Sequence, residues 1–210
     1  GSATTVGHGL NAKPNFIIVK PLGTVTTGGW IIGGDNVDST YNHVLELNTT
    51  VARANDTSFN DTAPTSSVFS VGNNNTNRSG ENYIAYCFVE KKGYSKFGTY
   101  KGNGNADGPF VYTGFKPAFI MYKKSIQTGN AGRWVILDNK RDVDNVASHG
   151  IFPNTDNTEN TGSQYWDLDM LSNGFKLRTT EHETNGNGET FMYMAFAEEP
   201  LVVNITPNGI

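Results

Sequence analysis

A chain of 210 residues with 17% charged side chains and a formal net charge of −4 carries no electrostatic footprint for DNA or RNA, because its Lys and Arg are scattered. It has no apolar run of about 18 residues, so no membrane-crossing helix is expected, and the start GSATTVGHGL reads as neither a signal peptide nor a targeting segment. Apolar residues at 36% and aromatics at 11% suffice for a core, while abundant Asn, Thr, Ser and Gly favour turns and short strands over helices.

In chain order, GHG at Gly7 to Gly9 reads as a turn before the first predicted strand, KPNFIIVK from Lys13 to Lys20. Pro14 stands at its front, where a missing N–H costs least. GGWIIGGD around Trp30 and HVLELNT from His43 to Thr49 are the next strands, followed by SSVFSVG around Phe69. GENYIAYCFVE from Gly80 closes the series, and the Gly-rich GNGNADG from Gly102 to Gly108 reads as a linker turn. Each strand is short, rich in aromatic and β-branched residues, and bounded by Gly, Asn and Pro.

The series then repeats. KPAFIMYK from Lys116 to Lys123 keeps the Lys, Pro, Phe, Ile and Lys of the first octapeptide at Lys116, Pro117, Phe119, Ile120 and Lys123. GRWVILDN around Trp134 answers the first Trp strand, NGFKLRT around Phe175 answers SSVFSVG, and GETFMYMAFAE from Gly188 answers GENYIAYCFVE. In the last pair Gly80 and Gly188, Glu81 and Glu189, Phe88 and Phe196, Glu90 and Glu198 coincide. Matched elements in one order imply a tandem duplication. With no apolar period of 3.6, the expected fold is all-β: two tandem antiparallel β-sandwich units of jelly-roll type, residues 1–103 and 104–210.

The closing strands add a constraint. Tyr83, Ala85, Cys87 and Val89 point one way and Ile84, Tyr86 and Phe88 the other, so both faces are apolar; TFMYMAFAE behaves alike. A sandwich strand with a solvated outer face should alternate. The second face is therefore expected to be covered, preferably by the sister unit and otherwise by another subunit. Cys87, the only cysteine, reads as a small buried hydrophobe and forms no intrachain disulfide.

Chemistry is sparse. Asp167 and Asp169 in QYWDLDML lie two apart on a predicted strand, so both carboxylates would share a side, as a glycanase with neighbouring acids requires. Opposed to this is a solvated face behind Trp166, Leu168 and Met170. EHET at Glu181 to Thr184 lacks the second His of a zinc motif. NTDNTEN offers Asp156, Asn157 and Glu159 as hard oxygen donors for calcium, and NNNTNRSGEN from Asn73 is a second such loop, though both also suit turn geometry. For glycan binding an exposed aromatic among amides and carboxylates is the expected pattern. Tyr165 and Trp166 beside Asn160, Gln164 and Asp167 fit it, as does Tyr41 near Asp38 and Asn42, whereas the matched Trp30 and Trp134 are expected in the core. Glycosylation sequons at Asn48, Asn55, Asn60, Asn74, Asn77 and Asn204 follow from composition.

Taken together, VGHGLNAKPNFIIVK, DTAPTSSVFSVG, ENYIAYCFVEKKGYSKFGTYKGNG, DGPFVYTGFKPAFIMYKK, RWVILDNKRD, LDMLSNGFKLRT and YMAFAEEP resemble an uncharacterised repeat domain of tailed bacteriophages, marine ones especially. That domain occurs in large virion proteins and tail-fibre-like appendages and is associated with a concanavalin A-like jelly roll. It carries no known catalytic residues, so the resemblance assigns none. Such repeats open with a GTYxGNG-like strand, as Phe97 to Gly104 does before the second unit, so the chain is expected to start inside a longer pattern; the ending LVVNITPNGI departs from the family's short tail.

The resulting expectation is a non-enzymatic virion structural or adhesion module, outside the cell on the phage particle. Its expected partners are other virion proteins, host-surface polysaccharide and further copies of itself, as in the homotrimers common among tail appendages. The alternatives are a carbohydrate-binding module of a secreted or surface protein and a jelly-roll glycanase acting through Asp167 and Asp169.

Overall fold

The computed structural model describes residues 2–23, 29–72, 74–126, 132–161 and 164–200. Asn73, which opens the second candidate calcium loop, and LVVNITPNGI with its sequon at Asn204 lie outside them. The elements in chain order are β1 (Thr4–Gly7), β2 (Phe16–Pro21), β3 (Ile31–Gly34), β4 (His43–Glu46), β5 (Ala54–Asn55), a 3-10 turn (Thr57–Phe59), β6 (Val68–Val71), α1 (Asn74–Asn77) and β7 (Tyr83–Phe88). Then come β8 (Ser95–Lys101), β9 (Phe110–Tyr112), β10 (Pro117–Ile126), β11 (Trp134–Asp138), β12 (Leu168–Leu171), β13 (Gly174–Leu177), α2 (His182–Asn185) and β14 (Thr190–Ala197). The protein is all-β, with helix confined to single turns.

Among the described residues four antiparallel sheets result: β1-β6, β5-β4-β3-β2-β7, β11-β10-β14-β8 and β12-β13-β9. Period-2 alternation decides how they stack. Ile17 and Val19 of β2 join Phe59, Phe69 and Val71 in one core, while Phe16 and Ile18 join Met121, Trp134, Met192 and Met194 in another. From the other side of the four-stranded sheet, Ile120, Tyr122, Phe191 and Tyr193 meet Val111, Leu168 and Phe175. The sheets therefore form four layers with three cores between them, and the middle core joins the two halves of the chain. The indole Nε1 of Trp134 reaches across this middle core to donate to the Glu46 carbonyl at 2.8 Å. Side chains as fully buried as Phe16, Ile32 and Met192 each contribute about 1.5–3 kcal/mol relative to exposure.

The halves pair their strands in the same way. Phe16 faces Gly34 on one side and Phe88 on the other, and Phe119 faces Asp138 and Phe196. In the outer layers Val6 faces Phe69 as Val111 faces Phe175. Lys20 sits over the Trp30 ring at 5.8 Å, and Lys123 over Trp134 at the same distance. β14 is buried on both faces, as expected of a strand covered by the opposite half.

Three elements differ from expectation. β8 lies before the anticipated boundary at 103/104, yet it pairs with β14 along its length, so the C-terminal pair of sheets begins at Ser95. β7 is not covered like β14: Ala85 and Tyr86 are exposed and Cys87 is only half-buried, because no described strand lies on its outer edge. Trp134 is fully buried, but Trp30 is only partly so.

Candidate functional site

The site lies at one end of the C-terminal sandwich, where the stretch before β12, the α2 turn and the start of β11 converge. Trp166 belongs to the core, 1% exposed and packed on Phe152 at 5.0 Å between ring centroids. Its neighbour Tyr165 must then face outward, and it is 52% exposed with its ring 6.1 Å from that of Trp166. The backbone there is pinned by the Thr184 hydroxyl, which donates to the Tyr165 carbonyl at 2.8 Å. Glu181 caps α2 by accepting from the His182 N–H at 3.1 Å, and its carboxylate also pairs with the His182 ring.

Arg133 organises the floor. Its guanidinium lies over the rings of Phe152 and Trp166 at 5.4 and 5.5 Å, and its Nε stands 3.6 Å from the Glu183 carboxylate. A planar cation stacked on two rings and held by one carboxylate keeps donors free for a ligand. These side chains line a cavity of about 560 Å³ that includes Asn160, Tyr165 and the edge of Trp166. A second depression of about 380 Å³ adjoins it, sharing Arg133 and Asn160 and adding Asn157 and Glu159. The indole Nε1 of Trp166 is buried without an acceptor among the described residues.

Behind the floor runs a buried ionic row. Lys123 is fully buried and donates to the Gly132 carbonyl at 2.6 Å. Burial pushes its ammonium down to about 8; the Glu183 charge opposes that fall and Lys124 adds to it. Lys124 in turn lies 3.6 Å from Glu189.

Of the residues singled out in the sequence, Asn160, Tyr165 and Trp166 come together here. Trp166 does so as an edge rather than as an exposed platform, because its ring fills the core. Asp167 does not line the cavity. Its carboxyl is half-buried, with burial and then the nearby Asp142 raising it above the usual carboxylate range. Asp169 is buried and bound to Arg178 at 2.5 Å, so the two aspartates present neither a shared catalytic face nor a solvated one. Tyr41 is 0% exposed, packed edge-on against Phe59, and is no sugar platform. Among the described residues no group of three or more His, Cys, Asp or Glu is placed to hold a metal ion. The Glu159 carboxylate pairs with Arg141 at 3.3 Å.

Arg133 was missed, and Glu181, His182 and Glu183 were weighed only as part of a zinc motif. A signal existed: the first Trp strand reads GGW and the second GRW, so Arg133 takes the place of Gly29. The Tyr165 stretch has a structural counterpart around Phe59 in the N-terminal half. The Thr76 hydroxyl donates to the Ser58 carbonyl at 2.6 Å as Thr184 does to Tyr165, with Phe59 buried like Trp166. Substitution of Ser by Tyr and of Phe by Trp hides the correspondence at the level of identities.

The family described as "Domain of unknown function (DUF7483)" matches residues 1–200, and the chain belongs to it. No curated protein and no solved structure gives a significant match.

Proposed function

We propose that this member of the DUF7483 family is a non-enzymatic adhesion module of a phage virion appendage, binding host-surface polysaccharide in the groove around Tyr165. The observation that carries the reading is the pair of adjoining cavities, with one exposed ring and a set of polar groups around it. A sugar presents an apolar face and a fringe of hydroxyls, and Tyr165 offers the flat surface while Arg133, Asn160 and His182 offer the hydrogen bonds. Two linked depressions suit successive residues of a chain better than a single small molecule. The virion setting, with other virion proteins and further copies of the chain as partners, rests on the resemblance to phage appendage repeats. The glycanase reading gains nothing from Asp167 and Asp169, which stand away from the groove with Asp169 engaged by Arg178.

The test is a glycan array followed by titration of the best ligand. Tyr165→Ala is expected to weaken binding at least about tenfold, in keeping with loss of a stacking ring, and Arg133→Ala to weaken it comparably. Because Tyr165 is half exposed, the unfolding midpoint should stay put. Binding that is indifferent to both substitutions would remove the site, and hydrolysis of the bound glycan would remove the non-enzymatic assignment.

A further inference from the structure

Among the described residues no strand pairs with the outer edge of β7 at Ala85 and Cys87, and the C-terminal half shows what pairs at the matching edge. In the C-terminal half the corresponding strand, β14, takes β8 along its outer edge, antiparallel, with Tyr193 opposite Gly98 and Met194 opposite Phe97. In the N-terminal half β7 ends its sheet, pairing only with β2 among the described residues. The Phe88 and Asn82 carbonyls accept from Asn15 and Leu22, both at 2.8 Å, so the even-numbered residues of this strand turn their backbone groups toward β2. Alternation turns those of Ala85 and Cys87 outward. Likewise in β14 the Glu189 carbonyl accepts from Gly102 at 3.0 Å and the Ala197 N–H donates to Tyr94 at 2.7 Å, on the β8 side.

The side chains agree. A cavity of about 420 Å³ runs beside this edge, lined by Val6, Phe69, Ala85, Tyr86, Cys87 and Phe88 among others. The matching positions Val111, Phe175, Tyr193 and Ala195 are 7%, 0%, 3% and 0% exposed. β8 contributes Tyr100 to that core, stacked on Phe191 at 4.9 Å. Val6 and Tyr86, by contrast, are each 41% exposed.

We propose that the β7 edge is a strand-addition site for an extended segment of a neighbouring polypeptide with the chemistry of β8. That segment runs antiparallel to β7, places an aromatic opposite Tyr86, and carries a large apolar side chain opposite Ala85. The last requirement follows from a difference between the halves. Gly98 must be glycine because a Cβ there would come within 2.9 Å of the Tyr193 ring. Ala85 stands where Tyr193 stands, so the restriction is lifted and the groove has room for the incoming residue. Main-chain bonds supply affinity in such additions, and the pockets supply selectivity.

The probe is a labelled peptide of residues 93–103, GYSKFGTYKGN, titrated into the intact chain by fluorescence polarisation. Saturable binding is expected, tightened about tenfold when the peptide carries Gly98→Leu. It should vanish with Ala85→Pro in the protein, which deletes an outward N–H that β2 does not use. A peptide N-methylated at Gly98 serves as a second control that leaves the protein untouched, and it too should fail to bind. Absence of saturable binding by either unmethylated peptide, or binding that survives N-methylation, would overturn the site. Self-association abolished by Ala85→Pro, without peptide binding, would place a second copy's β7 there and overturn the choice of occupant.

Discussion

The two halves of the chain share strand pairing, a Lys over a Trp, and a Thr hydroxyl clamped to a carbonyl, yet they differ in nearly everything a partner would touch. The C-terminal half has its sheet edge closed by β8 and opens a polar groove at Tyr165. The N-terminal half buries Ser58 at the equivalent point, and among the described residues no strand covers the outer edge of β7. Ser58 against Tyr165 and Gly29 against Arg133 are two of these differences, and both Tyr165 and Arg133 line the groove.

The comparison is tested most sharply at the two tryptophans. Trp134→Ala removes a fully buried ring and a hydrogen bond between layers, and is expected to cost about 3–5 kcal/mol in denaturant unfolding. Trp30→Ala, partly solvated already, should cost less than about half of that. Equal losses would show that the middle core does not distinguish the halves.

A smaller effect separates the lysines. Lys123 has a folded value of about 8 against an ordinary 10.5. Between those limits the unfolded chain holds a proton that the folded chain has released, so stability must rise with pH there. Buried Tyr100 and Tyr122, both raised above their ordinary value chiefly by burial, act in the opposite sense once unfolded tyrosines ionise near pH 10. From pH 8 to 10 the gain at Lys123 should be about 2 kcal/mol. Lys123→Met should flatten that rise, with Lys20→Met as the matched control. A wild-type profile that falls over this interval would contradict the buried-ammonium account.

The smallest difference should be none. Gly80 and Gly188 both take positive φ, +80° and +74°, in open surroundings before the closing strands. Gly→Ala at either is expected to cost about 1 kcal/mol from backbone strain alone. Unequal costs would mean that the two turns are not equivalent.

How much was legible follows from where the information resides. Strands such as KPNFIIVK and KPAFIMYK were readable because alternation and turn residues act within a few positions. The match between Thr76–Ser58 and Thr184–Tyr165 was not, since it resides in a hydrogen bond rather than in residue identity. Tyr41 and Trp166 looked exposed because their sequence neighbours are polar, but neighbours along a strand or turn point elsewhere, and each ring is held by a distant one, Phe59 and Phe152. The place of β8 was hidden for a related reason: it follows β7 in the chain but pairs with a strand some ninety residues later.

By itself the amino-acid order determined the all-β character and strands such as KPNFIIVK and KPAFIMYK, because backbone preference and side-chain alternation are local properties. Only the tertiary structure decided the stacking of four layers, the β7 edge that no described strand covers and the gathering of Arg133, Asn160, Tyr165 and Glu183 around one groove. Those depend on which surfaces exclude water together, and that balance is struck between residues far apart in the chain.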